Sequence, residues 1–279
     1  MRHTHKTHTA SHISRAELIS QIKSKRLVFA VWAILRILIL AVAVRSAMQG
    51  LWESFFVCLL ALMLFLAPPL VEKKLHLKLP TALEVTVLIF IFCAEILGEI
   101  ECYYIKYAFW DSMLHTVNGF LFAAFGFCLV DLLNENPNIK FQLSPTFQAL
   151  TAFCFSMTIG IFWEFFEYGM DNLLMLDMQK DTIIYAFQSV TLDAASQNIP
   201  VALQDITQTT ITCADGTTQV INGYLDIGLR DTMKDLFVNF IGAAAFSTIG
   251  WAYVKQRGKN RLAAAFIPVV EKSDREEQR

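Results

Sequence analysis

Charge is scarce in this sequence. Asp, Glu, Lys and Arg make up 17% of its 279 residues, against roughly 25% in ordinary soluble domains. A chain that is 55% hydrophobic and carries 23 phenylalanines cannot cover its apolar surface in water with so few polar groups, nor can it stay disordered. There is no surplus of one sign either. The formal net charge of −2 offers no basic face to a phosphate backbone, which excludes a nucleic-acid partner. Six cysteines in 279 residues exclude a disulfide-rich miniprotein, and they include no CxxC pair and no zinc-finger spacing. No repeat of fixed period is present, and no HExxH. Residues 1–26 lack an apolar core with a small-residue cleavage site, so no cleavable signal peptide is expected.

What the sequence has is long apolar runs. A helix needs about 20 mostly apolar residues to cross the hydrocarbon core. Six stretches qualify, at 27–44, 51–71, 80–100, 113–132, 145–165 and 233–254. The expected fold is an all-α polytopic membrane protein, a six-helix transmembrane bundle over 27–255, between a polar N-tail (1–26) and a C-tail (256–279). Counting Lys and Arg by side gives 17 on the side of both tails and 5 on the other, with Arg36 inside the first span. The positive-inside rule therefore puts both termini in the cytoplasm and residues 172–232 outside. Trp52, Trp110, Trp163 and the Tyr103, Tyr104, Tyr107 cluster fall at the outer ends, where amphipathic rings are favoured; contacts between helices would account for any one of them equally well.

The segment after the fifth span is the one substantial extramembrane piece. Residues 171–184 read as a polar continuation of the helix. Residues 184–222 read as a small extracytoplasmic cap, too short to fold alone. Alternation of Thr, Ile and Val around Asp215–Gly216 is a β-hairpin signal. Cys58, Cys93, Cys128 and Cys154 lie in spans as small hydrophobes. Cys102 and Cys213 share the outer side, where a disulfide between them stays open. His3, His5, His8 and His12 give the N-tail a weak metal-binding composition, or only a polar one.

The chemistry gathers on four helix stripes. Span 3 ends with Glu95 and Glu99, then Glu101. Span 4 opens with Asp111, His115 and Asn118. Span 5 ends with Glu164, Glu167 and Asp171. Span 6 opens with Asp231, Asp235 and Asn239. These spacings of three, four, seven and eight place each set on one helical face, and the topology puts all four at the outer ends. Ionisable residues in spans are costly and mark functional sites by default. With Asp177, Asp181 and Asp226, twelve carboxylates stand there against Lys106, Lys180, Arg230 and Lys234. Two like charges about 4 Å apart repel by roughly 4 kcal/mol at an effective dielectric of 20. Either several acids hold protons or cations neutralise them. Carboxylates with one imidazole suit a divalent metal ion, and facing helices of bundles build such sites. As solvated caps, Asp111, Asp231 and Asp235 are explained by the helix dipole. Glu95, Glu99, Glu164 and Glu167 are not, because they stand at C-terminal ends.

The candidate metal ligands are therefore Asp111, His115, Glu164, Glu167, Asp171, Asp231 and Asp235. His115, Glu164 and Glu167 are the candidate catalytic groups. Glu95, Glu99, Asn118, Asp177, Asp181, Asp226, Arg230 and Asn239 would line the cavity. Elsewhere, Arg36 calls for a partner within the membrane, Glu84 and Asp131 are the polar groups of the inner half, and Gly119 and Gly242 beside the stripes read as packing residues.

The pieces F-W-D-S-M-L-H-T-V-N-G-F (109–120), W-E-F-F-E-Y-G-M-D (163–171), D-M-Q-K-D-T (177–182) and D-I-G-L-R-D-T-M-K-D-L-F-V-N-F-I-G-A (226–243) resemble the YjdF-like family of bacterial inner-membrane proteins, itself similar to the VanZ-like group. The resemblance covers about residues 80–255, and the segment at about 184–222 departs from it. It implies a bacterial plasma membrane and an acid-plus-His core, but no established reaction. The VanZ-like link points to the envelope and antibiotic tolerance, by fold-level analogy alone. Three functions stay open: a metal-assisted hydrolase or transferase acting on a lipid head group or lipid-linked envelope substrate, a cation- or proton-coupled transporter, and a non-catalytic envelope module. Membrane lipids are the expected partners; the oligomeric state is open.

Overall fold

The structure, a computed structural model, describes residues 26–75, 77–135, 143–195, 197–255, 265–267 and 269–270. The N-tail histidines, Lys140 and most of the C-tail lie outside the described residues. Six helices among the described residues are long and apolar enough to cross a membrane, as the hydropathy runs predict. The chain divides into two compact units, one of residues 1–107 with 258–279 and one of residues 108–257.

The first unit holds three of the spans. Helix α1 is Arg26–Met48; α2 (Trp52–Leu64) and α3 (Ala67–Leu75) together make the second. The break between them follows from Pro68 and Pro69, which offer no amide to continue the hydrogen-bond ladder. The third span is α4 (Thr81–Ile91) continued by a π-helix, Phe92–Ile100, and Cys102 in the left-handed conformation (φ 57°) leads into the single turn α5 (Tyr103–Lys106). Ile39, Cys58, Ala61, Phe65, Leu88 and Ile96 form its core. Leu77–Lys78 pairs antiparallel with Val269–Val270. Arg36 stacks its guanidinium 3.9 Å from the centre of the Trp32 ring, a cation–π contact in place of the carboxylate partner a mid-span arginine calls for.

The second unit packs α6 (Trp110–Glu135), α7 (Pro145–Leu174) and α8 (Leu229–Lys255). Ser144 caps α7 by accepting the Phe147 amide at 3.3 Å, with Pro145 in the first turn. Glycines set how closely α6 and α8 approach. A Cβ on Gly119 would lie 2.1 Å from the Asn239 carbonyl oxygen, and one on Gly242 would lie 2.0 Å from that of Thr116. Only glycine admits such backbone contact. Below it, the Phe246 ring meets Phe120 edge-on at 5.0 Å and Phe127 at 6.1 Å.

Between α7 and α8 the chain carries short antiparallel ladders: Ile183–Ile184 with Tyr224–Leu225, Phe187–Ser189 with Val201–Leu203, and Thr209–Thr212 with Thr218–Ile221. The last is the hairpin expected around Asp215–Gly216. The helical reading of 171–184 is corrected. Helix α7 stops at Leu174, where Met175 turns left-handed (φ 56°). Past that point carboxylates replace helix carbonyls as acceptors: Asp171 takes the amides of Met178 and Gln179, Asp231 that of Lys180, and Asp226 that of Thr182. The helices also outrun the apolar windows. Helix α7 has 30 residues, about 45 Å at 1.5 Å per residue, well beyond a hydrocarbon core of about 30 Å.

Candidate functional site

Three of the four predicted stripes meet inside the second unit. The glycine contacts between α6 and α8 bring His115 and Asp235 into one layer, and α7 closes the third side with Glu164 and Glu167. All four are buried, Asp235 to 1% exposure. His115 stands at the centre. Its Nε2 lies 3.5 Å from Asp111 Oδ1, one helical turn earlier, and its Nδ1 lies 3.8 Å from Glu164 Oε1 on the facing helix. The imidazole thus links the carboxylates of α6 to those of α7.

Lys234 belongs to the site, although the sequence shows it only as one of four cations set against twelve acids. Its ammonium lies 2.6 Å from Asp231 Oδ1 and 3.7 Å from both Asp111 Oδ2 and Asp235 Oδ1. The signal was legible, since Lys234 follows Asp231 by three positions and adjoins Asp235. One ammonium therefore serves three carboxylates on the α6–α8 side.

The α7 side has no such cation among the described residues. Glu167 Oε1 accepts the Trp163 indole N–H at 2.9 Å, one turn back on the same helix. Trp163, read in the sequence as an interfacial ring, serves here as a donor. Both oxygens of Glu164 are buried with no hydrogen-bond partner, as are Asp111 Oδ2 and Asp235 Oδ1. Such bare carboxylate atoms are rare in folded proteins, because an unsatisfied buried acceptor costs about 1–3 kcal/mol and more when charged. They are the chemistry a cation would complete. Two overlapping groups have ligand atoms within 4.8 Å of one another: Asp111, His115 and Asp235, and His115, Glu164 and Glu167. One imidazole with two carboxylates is a donor set that could hold a divalent transition metal.

The remaining predicted residues lie around this centre. Asp171 and Asp226 fasten the connector between α7 and α8. Asp226 also holds the first turn of α8 by accepting the Arg230 amide at 2.9 Å. Both Asp171 oxygens are occupied by backbone amides at 2.6 and 2.9 Å, so Asp171 stands outside both ligand groups. Arg230 enters through its backbone; its side chain is exposed. Asp177 is exposed and pairs with Lys180. Asp181 is also exposed; desolvation first, then Asp177, Asp226 and Asp171, push its carboxyl above the usual range. Deeper in the bundle, Asn118 donates to Asn239 Oδ1 at 3.2 Å, and Asn239 reaches Met157 Sδ at 3.6 Å. Ser156 Oγ donates to the Gly119 carbonyl at 2.7 Å. Gln179 adds a hydrogen bond to Thr232 Oγ1.

Glu95 and Glu99 belong to the first unit, on the π-helix, where Glu95 is half-buried and Glu99 exposed. At the end of that segment, Arg45 pairs with Glu101 at 2.6 Å. Cys102 and Cys213 are exposed thiols with no disulfide between them.

No curated protein and no solved structure matches the chain. A family model does, over residues 27–256, which takes in all six spans and every residue of the acid–histidine cluster. The chain is a member of that family, described as predicted membrane protein (DUF2238).

Proposed function

We propose that this protein is a metal-dependent enzyme of the bacterial plasma membrane, a hydrolase or transferase acting at the outer leaflet on a lipid head group or lipid-linked envelope substrate. The observation that carries the reading is the cluster of half-buried Asp111 with buried His115, Glu164, Glu167 and Asp235, four of its carboxylate oxygens lacking any hydrogen-bond partner. The outward orientation rests on the excess of Lys and Arg on the side of the tails. The envelope substrate rests on that orientation and on the likeness of the 109–120, 163–171 and 226–243 motifs to the YjdF-like and VanZ-like groups.

His115, Glu164 and Glu167 would hold the ion, with Asp111 and Asp235 beside them. A divalent ion there would polarise a phosphoryl or carbonyl oxygen and lower the pKa of a water. The protein's own groups do the rest. Asp111 beside Nε2 orients the imidazole, as carboxylates orient ligand histidines elsewhere. Trp163 fixes Glu167 by one oxygen. Glu164, with no donor on either oxygen, can ligate through one and accept a proton through the other.

Elemental analysis of the purified full-length protein tests the reading, paired with thermal melting. One divalent ion retained per chain is expected, together with a lower Tm in chelator. At ligand concentrations of 100 Kd a bound ion stabilises by about 2.7 kcal/mol. Glu164→Gln and Glu167→Gln should lose metal and melt earlier. A protein that retains no metal, ignores chelator and is stabilised by Glu167→Gln would instead be a crowded, proton-titrating cavity, and the metal reading would fall.

A further inference from the structure

The cluster is not electrically uniform, and the difference bears on how many ions it holds. On one side Asp111, Asp231 and Asp235 surround the Lys234 ammonium at 3.7, 2.6 and 3.7 Å. Three carboxylate oxygens about a single positive charge is the arrangement a metal ion would command in the same place. On the other side Glu164 is 4% exposed, and both its oxygens lack a hydrogen-bond partner. Its Oε1 faces His115 Nδ1 at 3.8 Å. Glu167 is held by Trp163, a neutral donor. His115 belongs to both halves by its two nitrogens, and it can give only one of them to an ion while the other keeps its proton toward a carboxylate.

We infer that the site is built for a single divalent cation seated on His115, Glu164 and Glu167, and that Lys234 occupies the place a second cation would take among Asp111, Asp231 and Asp235. This rests on the metal-binding reading above. The ion goes where the carboxylates are bare. His115 ligates through Nδ1 and turns its Nε2–H to Asp111, which makes Asp111 an orienting group rather than a ligand. Lys234 is a positioning residue: it neutralises the α6–α8 side and keeps a second divalent ion out by charge. Bundles that carry carboxylates on facing helices commonly hold two metals. Here a covalently attached ammonium stands in for one of them.

Mn2+ binding to the detergent-purified full chain decides this, with stoichiometry measured by equilibrium titration and pairing by electron paramagnetic resonance. The wild type should bind one Mn2+ with the spectrum of an isolated ion. Glu164→Gln should weaken it at least tenfold. Asp231→Asn, which alters the ammonium's side and the Lys180 amide contact but none of the three ligands, should leave the affinity within about threefold. Lys234→Met should bind two, with the broadened spectrum of a coupled pair, whereas Lys234→Arg should stay at one. Two Mn2+ in the wild type, one in a folded Lys234→Met, or an unchanged affinity in Glu164→Gln would each overturn the inference. If Lys234→Met does not fold, the wild-type count and the contrast between Glu164→Gln and Asp231→Asn decide the matter. Failure of the wild type to bind any Mn2+, Zn2+ or Fe2+ would sink the metal reading itself, a result distinct from binding two.

Discussion

Glu164 and Gly119 follow opposite rules. Glu164 is costly to bury and is kept; Gly119 has no side chain and is required for that reason. A Cβ at Gly119 or Gly242 would strike a backbone carbonyl at 2.1 or 2.0 Å, and a backbone cannot swing aside as a side chain can. Gly119→Ala and Gly242→Ala should therefore each lower the Tm of the purified protein. Overpacking costs typically 1–3 kcal/mol, and the carbonyl partner puts these two at the upper end. Gly169→Ala, with open space around its Cβ position, is the control and should not lower it. Trp163→Phe should keep the ring and lose the donor to Glu167. That leaves a buried carboxylate oxygen unsatisfied, at a cost of about 1–3 kcal/mol, and titration with Zn2+ should show the lost stability partly restored by the ion. At this scale the sequence disclosed which acids and which histidine share a face, since period alone settles that. It did not disclose Lys234 as their partner, because the charge of a lysine at a helix end reads as topology until its neighbours are placed.

Spans were legible from hydropathy, but their ends were not, because the apolar windows close where the acids begin while the helices continue through them. Sequence pattern could not distinguish Asp171, Asp226 and Asp231 from the bare carboxylates either. The first two spend all their oxygens on backbone amides, and Asp231 is divided between the Lys180 amide and Lys234. Asp171→Asn or Asp226→Asn should loosen the connector, seen as faster amide exchange at Gln179 and Thr182, with metal content unchanged. The hairpin was predicted from its turn residues, and its turn carries a pH signature. Asp215 accepts from the Thr217 hydroxyl and amide at 2.7 and 2.9 Å, and these bonds hold its carboxyl below the usual range. A lowered folded value means the contribution is complete above the unfolded value of about 3.9 and is lost as pH falls through the folded value. Amide protection across Thr209–Thr212 and Thr218–Ile221 should thus hold constant from neutral pH to about 4.5 and weaken only below about 4, whereas Asp215→Ala should show the weaker protection at every pH.

Across the whole chain, composition sufficed for the six spans. The charge count predicts their sidedness: a reporter fused at residue 140 should lie in the cytoplasm and one at residue 205 outside, and a shared compartment would refute the orientation on which an envelope substrate depends. The glycine contacts have a mechanical consequence at this scale. Because Gly119 sits on the Asn239 carbonyl and Gly242 on that of Thr116, α6 and α8 touch backbone to backbone at two points, and sliding one past the other would have to break both. Helix α7 meets them through side chains, Gly160 against the Asn239 amide and Ser156 against the Gly119 carbonyl. Any opening that spares the α6–α8 contacts must swing α7. But α7 carries Glu164 and Glu167, so a swing that admitted a molecule to His115 would take away two of the three ligands proposed for the ion. On the proposed reading, admission and demetallation would be one motion, and a substrate that itself brings oxygen ligands would fill the gap.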